Sequence, residues 1–340
     1  METVQMLKQL CETHCVYNDS DSLINVIKKL LNPFCDEIKI LNDGSVVGVK
    51  KAKKSTKKIM IDAHMDEIGL MISEIDEKGF LHFVPVGGVD LKTLPASVVE
   101  VYGKKVLKGV IGVKPPHLQN RAEEKQLLKC EDLTIDIGCS KAQAEKIVSV
   151  GDFACVCGEF TKLLNSECAS KSMDNRAGMC AVLKAAENLA KSEIGADVYY
   201  VFSCGEEFDM SGANIAANVI KPDICIAVDV THGVTADNSE SSYKCGEGPS
   251  YSIGPNISKK LVKIIEKVAE EKNISIHPEV DGGSSGTNAW AVQVCNEGVA
   301  TAVLSIPIKY MHTQVETLDI NDIESVSCIL NGFVKEASVM

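Results

Sequence analysis

The chain has 340 residues, of which 45% are hydrophobic and 24% charged, a composition typical of a globular protein large enough for two domains. Its formal net charge of −12 excludes general nucleic-acid binding, which requires a basic face. There is no apolar run of the roughly 18 residues that a membrane span needs. The N-terminus also lacks the basic-then-apolar order of a signal peptide, so we expect a cytoplasmic protein without membrane partners.

The first part of the chain has the pattern of an α/β domain. Helical periodicity covers residues 3–15 and 20–32, and short strands follow within 36–50. A strongly apolar run then predicts a buried strand over 58–63.

The composition and the hydrophobic pattern of the sequence change between residues 73 and 162. This segment is rich in valine and glycine and contains short alternating stretches such as FLHFVPVG and LKGVIGV. We therefore predict a small β-rich domain, a barrel or a sandwich, at 73–162. It is inserted into an α/β domain formed by 1–72 and 163–340.

Helices and strands alternate again after the insertion. Helices are predicted over 175–191, 211–219, 258–273, from Asn288, and from about 320 to 336, and strands over 197–203, 224–229, 275–279 and 300–308. Asn321 is the predicted N-cap of the last helix. This alternation predicts a largely parallel sheet covered by helices on both faces.

Four of the apolar strands end in side chains that can bind a metal ion. These side chains are His64 and Asp66 after KKIMIDA, Glu206 and Glu207 after DVYYVFSCG, Asp229 in DICIAVDV, and His312 after ATAVLSIPIKYM. In open α/β sheets, ligands bind beyond the carboxyl ends of the strands. The pattern therefore predicts a metal site along one edge of the sheet.

Each candidate also has a structural interpretation when it is considered alone. His64 and Asp66 can be polar residues of a solvent-facing strand end, and the adjacent glutamates can form an exposed acidic turn. Asp174, in SKSMDNRAGM, precedes a helix, where aspartate is a favoured N-cap. A single histidine at a strand end, such as His312, is more often structural than ligating.

The combination of these residues favours a metal centre over the separate explanations. Imidazole mixed with carboxylates suits Zn²⁺, Co²⁺ or Mn²⁺, and five ligands with one shared carboxylate suit two ions roughly 3.5–4 Å apart. Of the two adjacent glutamates, one can bind metal and the other can accept the proton of the attacking water. The sequence contains no HExxH, GxSxG or P-loop motif, so zincin, serine-hydrolase and kinase chemistry lack support.

Nearly the whole chain resembles the M42 family of metallo-aminopeptidases, which includes the tetrahedral (TET) aminopeptidases. The resemblance rests on six separated motifs in the family's order: AHMDEIGLMI, GVIGVKPPHL, SMDNRAGMCAVL, CGEEFDMSGA, AVDVTHG and GVATAVLSIPIKYMHTQVE. It implies a three-layer αβα zinc-peptidase-like domain with an inserted PDZ-like dimerisation domain. It also implies hydrolysis of N-terminal residues from short peptides by a homo-oligomer, often a dodecamer.

The resemblance also implies a ligand set for two divalent ions, with Zn²⁺ favoured over Co²⁺ or Mn²⁺. Asp174 would bridge the two ions. His64 and Asp229 would complete one site, and Glu207 and His312 would complete the other.

Two further roles follow from the same resemblance. Glu206 would be the general base, and Asp66 would orient the His64 ring. Related di-metal chemistry, such as that of a deacylase or a carboxypeptidase, and a non-catalytic scaffold with this fold are the alternative interpretations.

The chain departs from the family's motifs at a few positions. Ser211 stands where the family has a basic residue, Asn288 where an aspartate is typical, and Thr313 and Gln314 where Ser-Pro is usual. None of these positions is a proposed ligand, so we expect them to affect substrate preference or rate.

Overall fold

The computed structural model describes residues 1–17, 19–55, 57–118, 128–237 and 242–338. The chain divides into two compact units. One unit comprises Met1–Glu67, Phe160–Met311 and Val315–Met340, and the other comprises Ile68–Glu159 and His312–Gln314. The first unit contains a large mixed sheet, and the second contains a closed barrel.

Eight α-helices lie in the described part of the chain, and all but the short third belong to the larger unit. They are α1 (Thr3–Cys11), α2 (Asp21–Leu31), α3 (Lys141–Ala144), α4 (Met173–Leu189), α5 (Ser211–Ile220), α6 (Lys259–Lys272), α7 (Asn288–Val292) and α8 (Ile320–Ala337). None of these helices combines the length and apolar character that a membrane crossing requires.

The strands form one eight-stranded sheet, one three-stranded sheet and one barrel. They are β1 (Glu37–Ile40), β2 (Val46–Lys50), β3 (Lys58–His64), β4 (Gly69–Ile75), β5 (Leu81–Val86), β6 (Val98–Tyr102), β7 (Val106–Gly112), β8 (Thr134–Asp136), β9 (Phe153–Val156), β10 (Thr161–Lys162), β11 (Glu167–Ser170), β12 (Asp197–Ser203), β13 (Ile224–His232), β14 (Ser250–Ile253), β15 (His277–Val280), β16 (Ala300–Ile308) and β17 (Glu316–Asp319).

The eight-stranded sheet has the order β1-β2-β12-β3-β13-β16-β14-β15, and its four central strands are parallel. In register, Ser203 of β12 lies opposite His64 of β3, and Ala227 of β13 lies opposite Asp62. The carboxyl ends of these strands therefore meet at one edge. This edge is where the strand-end residues were expected to gather.

The prediction of a largely parallel sheet is correct for the four central strands and for the edge pair of β14 and β15, whereas the other three pairs are antiparallel. β2 pairs antiparallel with both β1 and β12, and β14 pairs antiparallel with β16. β1 and β2 are joined by a short turn, which only an antiparallel pair permits. β14 was not predicted from the sequence.

Helices cover both faces of the large sheet, which confirms the expected three-layer αβα architecture. Ile59 and Ile61 of β3 point into a core shared with α1, α2, α4, α6 and α8. Met60, between them, points into a second core shared with α5 and α7. Because alternate residues of β3 face opposite cores, the strand is buried at nearly every position.

The smaller unit is a closed barrel with the strand order β4-β5-β8-β7-β6-β9. Its interior is filled by a separate apolar cluster that includes Leu70, Phe83, Val99 and Ile135. Of the barrel and the sandwich that the sequence allowed, the structure shows the barrel.

The predicted cap of the last helix is wrong by two residues. Asp319, not Asn321, is the N-cap of α8, and its carboxylate accepts the backbone N–H of Asn321 at 2.8 Å. Both residues are favoured caps, and the sequence offers them two positions apart. Asp319 is the last residue of β17, so pairing with β11 fixes where the helix begins.

Candidate metal centre

His64 is the last residue of β3, and carboxylates surround its buried ring. Its Nε2 atom lies 3.0 Å from Asp174 Oδ1, 3.6 Å from Asp229 Oδ1 and 3.8 Å from Glu206 Oε2. Its Nδ1 atom lies 3.1 Å from the backbone oxygen of Asp66. An acceptor at one ring nitrogen is typical of ligating histidines, because it leaves the other nitrogen as the metal donor.

The Asp66 side chain holds the turn that carries the two adjacent glutamates. Its two carboxylate oxygens accept the backbone N–H groups of Glu206 and Glu207, each at 3.1 Å. The nearest Asp66 carboxylate oxygen lies 3.7 Å from His64 Nδ1. Asp66 therefore contacts the His64 ring mainly through its carbonyl and the glutamate turn through its side chain.

Asp174, His64 and Glu207 form a compact group of candidate ligands. One donor atom from each lies within 4.8 Å of the other two. Asp174 and His64 are buried, and Glu207 is partly buried. Such a triad of one imidazole and two carboxylates is a suitable donor set for a divalent ion.

Asp174 lies at an interruption near the start of α4, where Asp174 and Asn175 both have non-helical backbone angles. The regular helix begins after Asn175, whose Oδ1 accepts the backbone N–H of Gly178 at 3.0 Å. The Asp174 carboxylate instead faces His64, and its backbone N–H donates to Glu316 Oε2 at 3.0 Å. Asn175 therefore makes the capping hydrogen bond that the sequence assigned to Asp174, and the Asp174 carboxylate faces His64.

The electrostatics of this group favour bound cations. Burial lowers the pKa of His64, but the Glu206, Asp174 and Asp229 carboxylates outweigh it and raise that pKa well above its usual value. Burial raises the pKa of Asp229, and it raises the pKa of Glu206 to about 9, with neighbouring carboxylates adding to both shifts. Buried carboxylates this close repel one another unless positive charge compensates them, so the residues present fit a metal centre.

His312 belongs to the smaller unit by its contacts. Its Nδ1 atom lies 3.0 Å from the Gly88 carbonyl oxygen. His64 and His312 thus share one feature, a backbone carbonyl at Nδ1, which is typical of metal-binding histidines.

The structure contains a charged network around Glu67 that was not predicted from the sequence. Glu67 is 4% exposed, and it contacts the side chains of Lys171, Ser172 and Arg176. The sequence did offer a signal, since Glu67 follows Asp66 directly and the two cations flank Asp174. Opposite charges beside two proposed site residues indicate a possible pair, but only the fold shows that they meet.

Asn288, one of the departures from the family's motifs, is the first residue of α7 and contacts the strands β3 and β12. Its Nδ2 atom donates to Asp62 Oδ2 at 2.7 Å and to Ser203 Oγ at 3.0 Å. Burial raises the pKa of Asp62 to about 7, although the hydrogen bonds of its carboxyl with Ser203 and Asn288 act against the shift. Asn288 therefore supplies a donor to a buried acid at a position where an aspartate would supply a second acid.

The other departures, Ser211, Thr313 and Gln314, are half-buried. Ser211 begins α5, and its hydroxyl lies 3.3 Å from the Tyr17 hydroxyl. The Tyr17 ring stacks on Phe208, which follows the glutamate turn. In the smaller unit, Gln314 donates to Ser97 Oγ at 3.2 Å.

Comparisons with a family model and with individual relatives indicate the same family. The model of the M42 glutamyl aminopeptidase family matches residues 44–329. A lysyl aminopeptidase of Pyrococcus furiosus is 36% identical over 324 residues, which are 93% of this chain and 92% of the relative.

Solved structures agree with that assignment. An aminopeptidase, APDkam598, of Desulfurococcus kamchatkensis is similar with a TM-score of 0.91 and 34% identity, covering 98% of this chain and 94% of that chain. The Pyrococcus horikoshii TET1 peptidase, described as able to assemble into a tetrahedron or a large octahedral shell, has a TM-score of 0.88 and 30% identity. It covers 98% of this chain and 100% of that chain.

The fold, the cluster at the strand ends and these relatives define a hydrolase of peptide bonds. The chain belongs to the M42 family of aminopeptidases.

Proposed function

We propose that this aminopeptidase uses two divalent ions held by five side chains, as its motifs imply. By the family's motifs, Asp174 would be shared between the ions, His64 and Asp229 would hold one, and Glu207 and His312 would hold the other. The observation that carries the proposal is the grouping of buried Asp174 and His64 with partly buried Glu207, whose donor atoms lie within 4.8 Å of one another. Zn²⁺ suits this imidazole and carboxylate set best, and Co²⁺ and Mn²⁺ are the alternatives.

Glu206 is the proposed general base. Divalent ions, when bound, would supply Lewis acidity for the attacking water and the peptide carbonyl. The Glu206 carboxylate takes the proton of the attacking water and returns it to the leaving amine. Additional positive charge in the site would also lower the raised pKa of Glu206 into the range that a base requires.

Asp66 keeps Glu206 and Glu207 in place in this proposal. Its two carboxylate oxygens accept both backbone N–H groups of the turn, and its carbonyl sets the tautomer of His64. The same residue therefore orients the base, one glutamate ligand and the histidine ligand.

The substrates are short peptides with a free N-terminus. The acidic side chains of the site are suited to binding the terminal amino group, which restricts cleavage to one residue at a time. Blocking that group by acetylation removes the charge that the carboxylates recognise.

A substrate panel tests the proposal directly. Aminoacyl anilides and short peptides are assayed with Zn²⁺, Co²⁺ and Mn²⁺ in turn, each beside its N-acetylated counterpart. We expect release of N-terminal residues from the free peptides only. Equal hydrolysis of the acetylated forms would contradict recognition of the amino group, and equilibrium dialysis that finds fewer than two ions per chain would contradict the metal pair.

We also infer that the chain acts in the cytoplasm as a homo-oligomer, in which the barrel unit makes the dimer contact and dimers assemble to a dodecamer. The assembly described for the Pyrococcus horikoshii TET1 peptidase supports this inference. Sedimentation of the purified protein tests it, since a monomer would contradict it.

A further inference from the structure

We propose that Glu67 is a positioning residue, which holds the proposed metal ligand Asp174 in place by clamping three chain segments together. The inference rests on the proposed metal centre. The three segments are the loop at residues 13–15, the exit of β3 at 65–67, and the stretch 171–176 that contains Asp174.

Both oxygens of the Glu67 carboxylate are engaged. Oε2 lies 2.5 Å from Lys171 Nζ and accepts the Ser172 hydroxyl. Oε1 accepts the backbone N–H of Cys15 at 3.0 Å and lies 3.4 Å from Arg176 Nη2. Burial raises the pKa of Glu67, but Lys171 and Arg176 outweigh it and lower the pKa below its usual value.

Arg176 ties the same segments together a second time. Its side chain is fully buried, and it donates to the carbonyl oxygen of Met65 and, at 3.2 Å, to that of Thr13. Met65 lies between His64 and Asp66. The guanidinium therefore connects the end of β3 with the helix that carries Asp174.

The segment that Glu67 holds needs an external constraint. Ser172 has a φ of +59°, a left-handed conformation that is unfavourable for a residue other than glycine. The contacts of Glu67 fall on Lys171, Ser172 and Arg176, which flank Asp174 on both sides along the chain. A second buried carboxylate, Glu316, accepts the N–H of Asp174 itself.

The contacts of Glu67 on both sides of Asp174 bear on the distance between the proposed ligands His64 and Asp174. The Nε2–Oδ1 distance of 3.0 Å between His64 and Asp174 depends on the relative placement of β3 and the start of α4. Glu67 and Arg176 are the groups that link these two elements at this point. We therefore assign Glu67 to the geometry of the metal ligands.

The test measures the affinity for Zn²⁺ by calorimetry and the free energy of unfolding on the same proteins. Glu67→Gln keeps the shape of the side chain but removes the negative charge that contacts Lys171 and Arg176. The double variant Glu67→Gln/Lys171→Gln restores the net charge of the network but not the contacts of the Glu67 carboxylate with Lys171 and Arg176. Ser172→Ala, a milder change, removes one contact if Glu67→Gln does not fold.

We expect Glu67→Gln to bind Zn²⁺ at least 10-fold more weakly than the wild type, the range found when groups that orient metal ligands are removed. The double variant should recover stability but keep the weak Zn²⁺ affinity. Asp322→Asn is the matched control, since Asp322 is a buried acid that accepts two backbone N–H groups, from Gly246 and Gly248. It should lose stability without losing Zn²⁺ affinity.

Two results would contradict the positioning role of Glu67 without contradicting the proposed metal centre. One is wild-type Zn²⁺ affinity in folded Glu67→Gln, and the other is recovery of affinity together with stability in the double variant, because both would show a purely stabilising network. A wild-type protein that binds no Zn²⁺, Co²⁺ or Mn²⁺ would instead overturn the proposed metal centre, and the clamp with it.

Discussion

The carboxylate of Asp66 accepts the backbone N–H of Glu207 at 3.1 Å. Its other oxygen accepts the N–H of Glu206 at the same distance. Asp66, two residues beyond the end of β3, thus fixes the turn that follows β12, the neighbouring strand. Because this turn carries both glutamates, their placement depends on a contact between two strands rather than on the turn alone.

Asp66→Asn tests the importance of that contact. An amide has one acceptor oxygen, so one of the two N–H groups loses its partner and faces an NH₂ group instead. We expect kcat to fall by about 10–100-fold, the usual effect of losing a group that orients catalytic side chains. The assay is hydrolysis of an aminoacyl anilide under metal saturation.

Asp322→Asn is again the control, because Asp322 also accepts two backbone N–H groups. It should lower stability and leave kcat at the wild-type value. Equal losses of kcat in both variants would show a general effect of a buried acid, and would remove the positioning role from Asp66.

Adjacent variants separate the base from the ligand. Glu206→Gln cannot accept a proton, so we expect kcat to fall by about 10²–10⁴-fold while metal affinity changes little. Glu207→Gln removes a proposed ligand, so its main effect should be weaker metal binding, measured by calorimetry. Unchanged kcat in metal-loaded Glu206→Gln would contradict the assignment of the base, and unchanged affinity in Glu207→Gln would contradict that of the ligand.

Much of the sheet could be predicted because local sequence determines it. The run Ile59–Ile61 in β3 is apolar on both faces, which identifies a central strand with helices on either side. The position of His64 at the end of β3 was predicted, whereas β13 continues to His232, so Asp229 lies inside its strand and not at the predicted end. Their convergence follows from the parallel order of β3 and β13.

The contacts that position the site could not be predicted in the same way. Glu67 and Arg176 are 109 residues apart, and Asn288 and Asp62 are 226 residues apart. No periodicity links such residues, because their meeting depends on how whole elements pack.

The Glu67 network gives a specific dependence of stability on pH. The folded-state pKa of Glu67 is lower than its usual value, so its stabilising contribution is present above the unfolded-state pKa of about 4.3. It is lost as the pH falls through the lower folded-state value. We therefore expect Glu67→Gln to cost about 3–5 kcal/mol at pH 7, the usual cost of removing one partner of a buried ion pair.

Urea unfolding of the wild type and Glu67→Gln between pH 7 and pH 3 measures this dependence. The difference in the free energy of unfolding should shrink below about pH 4, since protonated glutamate and glutamine are both neutral. A difference that stays constant down to pH 3 would show that the charge of Glu67 does not contribute.

Restoring the family's typical residue at Asn288 should make the stability of this chain more sensitive to pH. Asn288→Asp removes the Nδ2 donor to Asp62 and Ser203 and places a second carboxyl beside a buried acid whose pKa burial already raises to about 7. Two adjacent buried carboxyls share one proton, so the pKa of the pair rises further. The cost of ionisation then grows as the pH rises from the unfolded-state pKa of about 3.9 through the raised folded-state value. Urea unfolding should therefore find the variant less stable than the wild type by roughly 1–3 kcal/mol at pH 8, with a smaller difference at pH 5.

Asn218→Asp, the same change at an exposed position of α5, is the control. It should differ from the wild type by less than about 0.5 kcal/mol at both pH values. A loss in Asn288→Asp that is equal at pH 5 and pH 8 would indicate a steric effect rather than a second buried charge.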